Sequence, residues 1–321
     1  MQIFKQSPVE QKSEEECHLL KYVIKRVLLA VLTIFIILAI TFFAMHAIPG
    51  GPFNSEKAVS KATIDALNAR YGLDKPVFDQ FLAYIREIFR GDFGVSLKNG
   101  REITSIIGET FPISAKIGLI AVVSALVCGT VFGSIAALMR NKWPDRVIIF
   151  FSTLFTAVPS FVLATLLLLV FCIQLRWVQA WNPNSTNYLL PVISLAMYPM
   201  AYTTRLAKTS MLDTLGQDYI RTARAKGVAQ WKVIFKHALR NSLIPVITYA
   251  GPEIAYIITG SMVVETIFTI GGLGRKFVSS INTRDYTLIM ATTIFLAALM
   301  VVTNLIVDLI YKLVDPRINF E

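Results

Sequence analysis

Side chains able to do acid–base, nucleophilic or metal chemistry are few and scattered in this 321-residue sequence. Its three histidines (His18, His46, His237) and three cysteines (Cys17, Cys128, Cys172) are too dispersed for a metal site or a disulfide framework. There is no G-x-x-x-x-G-K-[ST] run to cradle phosphates, no H-E-x-x-H pair to hold zinc and no G-x-S-x-G turn to expose a nucleophile. Asp92-Phe93-Gly94 matches a kinase metal motif in three letters, without the glycine loop or catalytic loop that gives that motif meaning. The chain is therefore expected not to be an enzyme and to hold no metal or cofactor of its own. What stands out instead is two acids in apolar settings, Glu253 and Glu265, and eight basic residues between Arg205 and Arg240.

Composition explains the setting. Hydrophobic residues make up 55% of the chain and charged residues 16%, with a mean hydropathy of +0.59 and a net charge of +10, whereas a soluble domain is about 25% charged. Six uncharged or nearly uncharged runs approach the ~20 residues that a helix needs to cross a bilayer. They are 27–45, 117–139, 147–175 (with Pro159 as the expected bend), 188–204 (extending to 211 if Arg205 and Lys208 snorkel), 242–264 and 288–307. Strand-like alternation is absent, so the expected fold is all-α: a polytopic membrane protein with six transmembrane helices and an extracytoplasmic insertion after the first. The first run has too long an apolar core, and no A-x-A site after it, to be read as a cleaved signal peptide.

Lys and Arg gather in alternate connections, which places both termini in the cytoplasm. The chain then divides into a cytoplasmic extension (1–21), the first helix (22–45), an extracytoplasmic segment (46–111), a core of five helices (112–312) that includes a cytoplasmic loop (213–245), and a tail (313–321). Topology thereby accounts for much of the basic excess, membrane lipid is an expected partner, and no nucleic acid is. Within the outer segment, Asp74 is expected to cap a helix opened by Lys75-Pro76 and ended by Gly91. Its apolar face (Val77, Phe78, Phe81, Leu82, Ile85, Ile88, Phe89) packs either on the protein's own spans or on a soluble partner.

Three features bear on the work of the core. Ala121, Ala125, Gly129, Gly133 and Ala137 recur every fourth residue and form a close-packing face, toward another helix of the bundle or another membrane subunit. Glu253, inside the fifth span, either lines a polar pathway or pairs with a neighbouring helix, and Glu265, nearer the outer end, serves an external gate or holds the loop that follows. The 213–245 loop is long, basic and amphipathic. Ile220, Ala223, Trp231, Ile234, Phe235 and Ala238 share a side, and Gly227 breaks the pattern into two short helices.

That loop resembles the EAA loop of ABC importer membrane subunits. Arg221-Thr222-Ala223-x-x-x-Gly227 occupies its frame, and Tyr219 to Gly227, His237-Ala238-Leu239-Arg240 and Leu243-Ile244-Pro245 are similar to its peptide-importer form. Arg221 and Lys226 stand where the general motif has acids, and Arg240 where it has Pro, as is typical of that branch. The resemblance continues in Ile48-Pro49-Gly50, Tyr71-Gly72-Leu73-Asp74-x-Pro76, Gly91-Asp92-Phe93-Gly94-x-Ser96, Thr259-Gly260-Ser261-x-Val263-x-Glu265-Thr266-Ile267-Phe268, Gly272-x-Gly274, Arg284-Asp285-Tyr286, and Asp308-x-x-Tyr311 with Asp315-Pro316-Arg317. Together these look like the B-type permease of oligopeptide and dipeptide importers. His46 stands where that family often has Arg, and the segment before Lys21 is longer than its usual start.

The resemblance implies a bacterial inner-membrane permease. Its partners are a homologous second permease, two cytoplasmic ABC ATPase subunits that carry ATP and Mg, and an extracytoplasmic peptide-binding protein. It implies that Arg221, Thr222, Ala223, Arg224, Ala225, Lys226 and Gly227 form the ATPase coupling element. A related permease for dipeptides or nickel is an alternative, and an ATP-independent secondary transporter is one of a different class; the latter predicts an inverted repeat that the sequence does not show.

Overall fold

The computed structural model describes residues 8–48, 52, 68–69, 72–182 and 187–314, with only the backbone described over 8–22 and 308–314. Pro49, Gly50, Tyr71 and Asp315-Pro316-Arg317 of the resembling motifs lie outside the described residues, as do residues 1–7 and most of 53–71. The chain forms two compact units, residues 1–92 with 293–321, and residues 93–292.

In the first unit, helix α1 (Pro8–Ala47) runs for 40 residues, and its apolar part is Val23–Ala47. The extension expected before residue 22 is thus, from Pro8, the same continuous helix. Helix α2 (Val77–Phe89) begins after Pro76, whose fixed φ suits a helix start, and ends before Gly91 at φ +77°. Asp74 does not cap it: no side chain caps this helix, and Gln80 Nε2 instead donates to the Leu73 and Lys75 carbonyls. Of the expected apolar face only Phe81 is buried, its ring among those of Phe35, Phe42 and Phe43 on α1, while Phe78, Leu82 and Phe89 are exposed. His46 stacks on Phe42, and its two ring nitrogens approach the Phe42 carbonyl and Gln80 Oε1 at 2.9 and 3.1 Å.

The second unit is built on α3 (Ile103–Leu138) and α6 (Leu189–Leu215), which pack along much of their lengths. Helices α4 (Trp143–Ala157) and α5 (Ser160–Leu167) meet at Pro159, and α5 continues as a π-helical stretch, Leu168–Gln174. Then follow α7 (Asp218–Ala225), α8 (Gln230–Ser242, with a π-helical middle at Val233–Leu239), α9 (Ile244–Ile258), α10 (Met262–Ile267), α11 (Leu273–Thr283) and the first turns of α12 (Tyr286–Val314). Among the described residues there is no strand, only an isolated bridge between Val95 and Glu102.

Three helical stretches, Val23–Ala47, Ile103–Leu138 and Tyr286–Val307, are long and apolar enough to cross a membrane alone. Two bent pairs raise the number to five: Trp143–Ala157 with Ser160–Gln174, at 103°, and Gln230–Ser242 with Ile244–Ile267, at 46°. The expected bend does fall at Pro159, but it is far sharper than a kink in one tilted rod. The remaining expected span lies in α6, which is long enough but carries Arg205, Lys208 and Asp213 in its second half. Lys208 does not snorkel: its ammonium pairs with Asp145 of α4 at 2.5 Å, and Asp145 Oδ2 also accepts the Asn141 N–H.

Candidate functional site

The chemistry-bearing residues of the second unit fall at three levels along α3. At its N-terminal end, two buried acids tie together segments far apart in sequence. Glu265 on α10 is 2% exposed, and its Oε2 accepts the Arg275 N–H at 3.0 Å, in the first turn of α11. Ser114 of α3 accepts the neighbouring Leu273 N–H at 2.8 Å. The free N–H groups and positive dipole end of α11 are thereby met by a carboxylate and a hydroxyl from two other helices. The pocket for that carboxylate is made of glycine: a Cβ placed on Gly260, Gly272 or Gly274 would lie 2.8, 2.5 or 3.1 Å from a Glu265 carboxylate oxygen. Asp285, also 2% exposed, repeats the device for α12, accepting from the Leu288 and Leu97 N–H groups and from the Ser96 hydroxyl. Thr287 donates to the Val95 carbonyl at 2.7 Å. Sequence spacing offered no route to these pairings, since Ser96 and Asp285 are 189 residues apart.

At mid-level, the small-residue stripe is buried in full and faces α6. A Cβ on Gly129 would come 2.7 Å from the Thr203 Cβ, and one on Gly133 2.7 Å from the Ala207 Cβ; Ala121, Ala125 and Ala137 are at most 4% exposed. Helix α9 reaches the same helix higher up, where a Cβ on Gly118 would meet the Ile257 carbonyl oxygen at 2.6 Å. One turn before Ile257, Glu253 is half-buried on α9 and has no lysine, arginine or histidine within ion-pair distance among the described residues. Tyr249 and Tyr256 share its face at i−4 and i+3, and the Tyr249 ring lies 4.5 Å from that of Tyr202 on α6.

At the C-terminal end of α3 sits the basic loop. Ile220 and Ala223 of α7 are buried with Ala137, Met211, Val233 and Ala238, so α7 is clamped against the ends of α3 and α6 and against α8. Its C-terminus closes through two bonds, Gly227 N–H to the Arg224 carbonyl and Val228 N–H to the Ala223 carbonyl, with Val228 packed on the same cluster. This is a Schellman closure and requires a left-handed residue at Gly227, which has φ +74°. Tyr219 accepts a hydrogen bond from Asn241 at 2.7 Å, fastening α7 to α8. Outward stand Arg221, Thr222, Arg224, Ala225, Lys226 and Gly227.

Of the seven expected coupling residues, Ala223 alone turns inward. The expected shared side of the loop also divides: Trp231 and Phe235 are 62% and 64% exposed, while Val233, not singled out by helical spacing, is fully buried with Ala238. The cause is the π-helical segment, whose wider turn brings residues five apart, 233 and 238, to the same side. The Lys232 ammonium lies over the exposed Trp231 ring, 5.4 Å from its centre.

The described residues thus form a helical membrane protein whose central helix α3 carries acid-fastened helix starts at one end and an amphipathic basic helix pair at the other. Residues 129–320 match the binding-protein-dependent transport system inner membrane component family, and residues 19–118 match the N-terminal membrane component of such systems. The chain belongs to this family. It is 43% identical over 304 residues to the dipeptide transport system permease protein DppB of Bacillus subtilis, covering 94% of this chain and 98% of that one. It is 40% identical to the oligopeptide transport system permease protein OppB of Haemophilus influenzae and 39% identical to that of Salmonella typhimurium, each over 306 residues, 94% of this chain and all of the relative.

Proposed function

We propose that this chain is the membrane-spanning permease subunit of an ATP-driven importer of peptides, in the cytoplasmic membrane of a bacterium with both termini inside. It pairs with a second, homologous permease, receives peptide from an extracytoplasmic binding protein, and is moved by two ATPase subunits that carry ATP and Mg. The names of its relatives favour peptides over nickel, and membership of a binding-protein-dependent family favours a driven importer over a self-contained secondary transporter.

The observation that carries the reading is the two-sided build of α7. Its inner face is locked into the ends of α3 and α6, while its outer face offers cations and small residues to a partner. A push on the outer face is then passed to the spans as motion of a packed body rather than lost in a loose loop. Arg221 pairs within α7 only with Asp218, at 3.4 Å and in the open, an interaction too weak to hold it from an acidic partner.

Reconstitution with both ATPase subunits, the second permease and loaded binding protein tests this directly. Peptide uptake should require ATP, and Gly227→Asp should leave the complex in the membrane with ATP hydrolysis no longer producing uptake. Normal uptake by that variant would remove the loop from the coupling path.

A further inference from the structure

The face of α9 around Glu253 has a counterpart on α6. Tyr249, Glu253 and Tyr256 form one stripe, at i, i+4 and i+7, and Tyr198 and Tyr202, at i and i+4, form another. The stripes meet where the Tyr202 and Tyr249 rings approach to 4.5 Å. The buried Tyr249 hydroxyl lies against the Glu253 carboxylate. The outer rings stay open: Tyr198 is 47% exposed and Tyr256 67%. The two helices that carry these five residues, α6 and α9, both pack against α3.

Three occupants of such a face can be weighed. Hydrocarbon is excluded on energy, because a carboxylate facing lipid tails is costly and acids in spans turn to protein or water. Within this chain the Glu253 carboxylate meets the Tyr249 hydroxyl, but no cation of the described residues pairs with it, so packing leaves its charge unbalanced. A cation arriving from outside the chain satisfies both the carboxylate, which has no counter-charge among the described residues, and the open tyrosine rings, whose faces attract ammonium groups most strongly where water is scarce.

We infer that Glu253, with Tyr198, Tyr202, Tyr249 and Tyr256, forms a way-station for a primary ammonium group of a peptide in transit. The inference rests on the peptide-permease reading and adds the chemical group that this chain itself recognises. The ammonium is either the peptide's amino terminus or a lysine side chain, and the two sources are separable.

The test uses the full complex in proteoliposomes, with binding protein first shown to be loaded by each peptide. Uptake is compared for a free-amino tripeptide without lysine, an N-acetylated tripeptide without lysine, and an N-acetylated tripeptide with one lysine. For the wild type, the ammonium-bearing peptides should move faster than the ammonium-free one, and whichever of the two leads identifies the source. Glu253→Gln, nearly isosteric, should slow the ammonium-bearing peptides by about tenfold, leave the ammonium-free one unchanged and so collapse the ratio. Tyr202→Leu should shrink the ratio in the same direction.

Glu253→Gln that preserves the wild-type ratio overturns the inference, and so does a loss equal for all three peptides with less second permease co-purifying, which would make Glu253 an assembly contact. A wild-type complex that moves none of the peptides with ATP would instead overturn the peptide-importer reading.

Discussion

At the residue scale, two side chains separate folding from coupling. Gly227 has open space where a Cβ would point, so its requirement is conformational and not steric. A β-branched residue there should cost about 1–2 kcal/mol in the left-handed region, whereas Asn tolerates it. Gly227→Asn should therefore keep the α7 closure and Gly227→Val open it, read as protease sensitivity of the loop in membrane vesicles. If both leave the loop equally protected but abolish uptake, the residue acts through partner contact and not through its backbone. Glu265 is the opposite case. Glu265→Ala leaves the α11 start without its carboxylate and empties a glycine-lined pocket, at a cost of roughly 3 kcal/mol by the usual penalty for stripping one member from a buried charged arrangement. Reduced yield and a lower Tm of the purified complex should follow, with Glu265→Gln much milder. Gln at 265 as damaging as Ala would assign the negative charge itself a task in transport.

At the element scale, the contact of α3 with α6 is the most sensitive to bulk. Gly133 faces the Thr204 carbonyl oxygen, the Ala207 Cβ and the Lys208 backbone nitrogen too closely for any Cβ, so Gly133→Val forces the helices apart. Overpacking of this kind costs about 1–3 kcal/mol and should reduce the amount of protein in the membrane, while Leu138→Val, at an exposed position, should not. The same scale shows what the sequence made legible. The stripe at every fourth residue, the helix after Pro76 and the break at Gly227 rest on local spacing and backbone chemistry, and the structure places them accordingly. The burial of Val233 and the exposure of Trp231 and Phe235 were not legible, because a π-helical turn shifts the phase that the 3.6-residue pattern assumes. Nor was the role of Gly260, Gly272 and Gly274. They appeared as pieces of separate motifs, and only folding shows that they leave room for one carboxylate.

For the whole molecule, α3 supplies a ruler. From Ser114, beside the Glu265 pocket, to Ala137, in the α7 core, is 23 residues. At 1.5 Å per residue that is about 35 Å, slightly more than the ~30 Å hydrocarbon layer. A membrane-spanning α3 is expected to hold the two fastened regions on opposite faces of the membrane. With the three native cysteines replaced, a single cysteine at Lys226 should react with an impermeant maleimide only in inside-out vesicles, and one at Thr269 only in right-side-out cells. Reaction of both from the same side would contradict the arrangement of spans and the positive-inside orientation together.

The Glu265 pocket also constrains how this chain can vary by descent. Because the carboxylate, the Ser114 hydroxyl and the three glycines fill a single volume, a methyl group gained at residue 272 is tolerable only if the acid shortens and the hydroxyl turns aside. Gly272→Ala should be harmful alone and partly rescued by Glu265→Asp, although each change singly loses function. Positions seven residues apart in the chain would then be inherited as one allele, and a lineage could exchange the pair but not cross through either half.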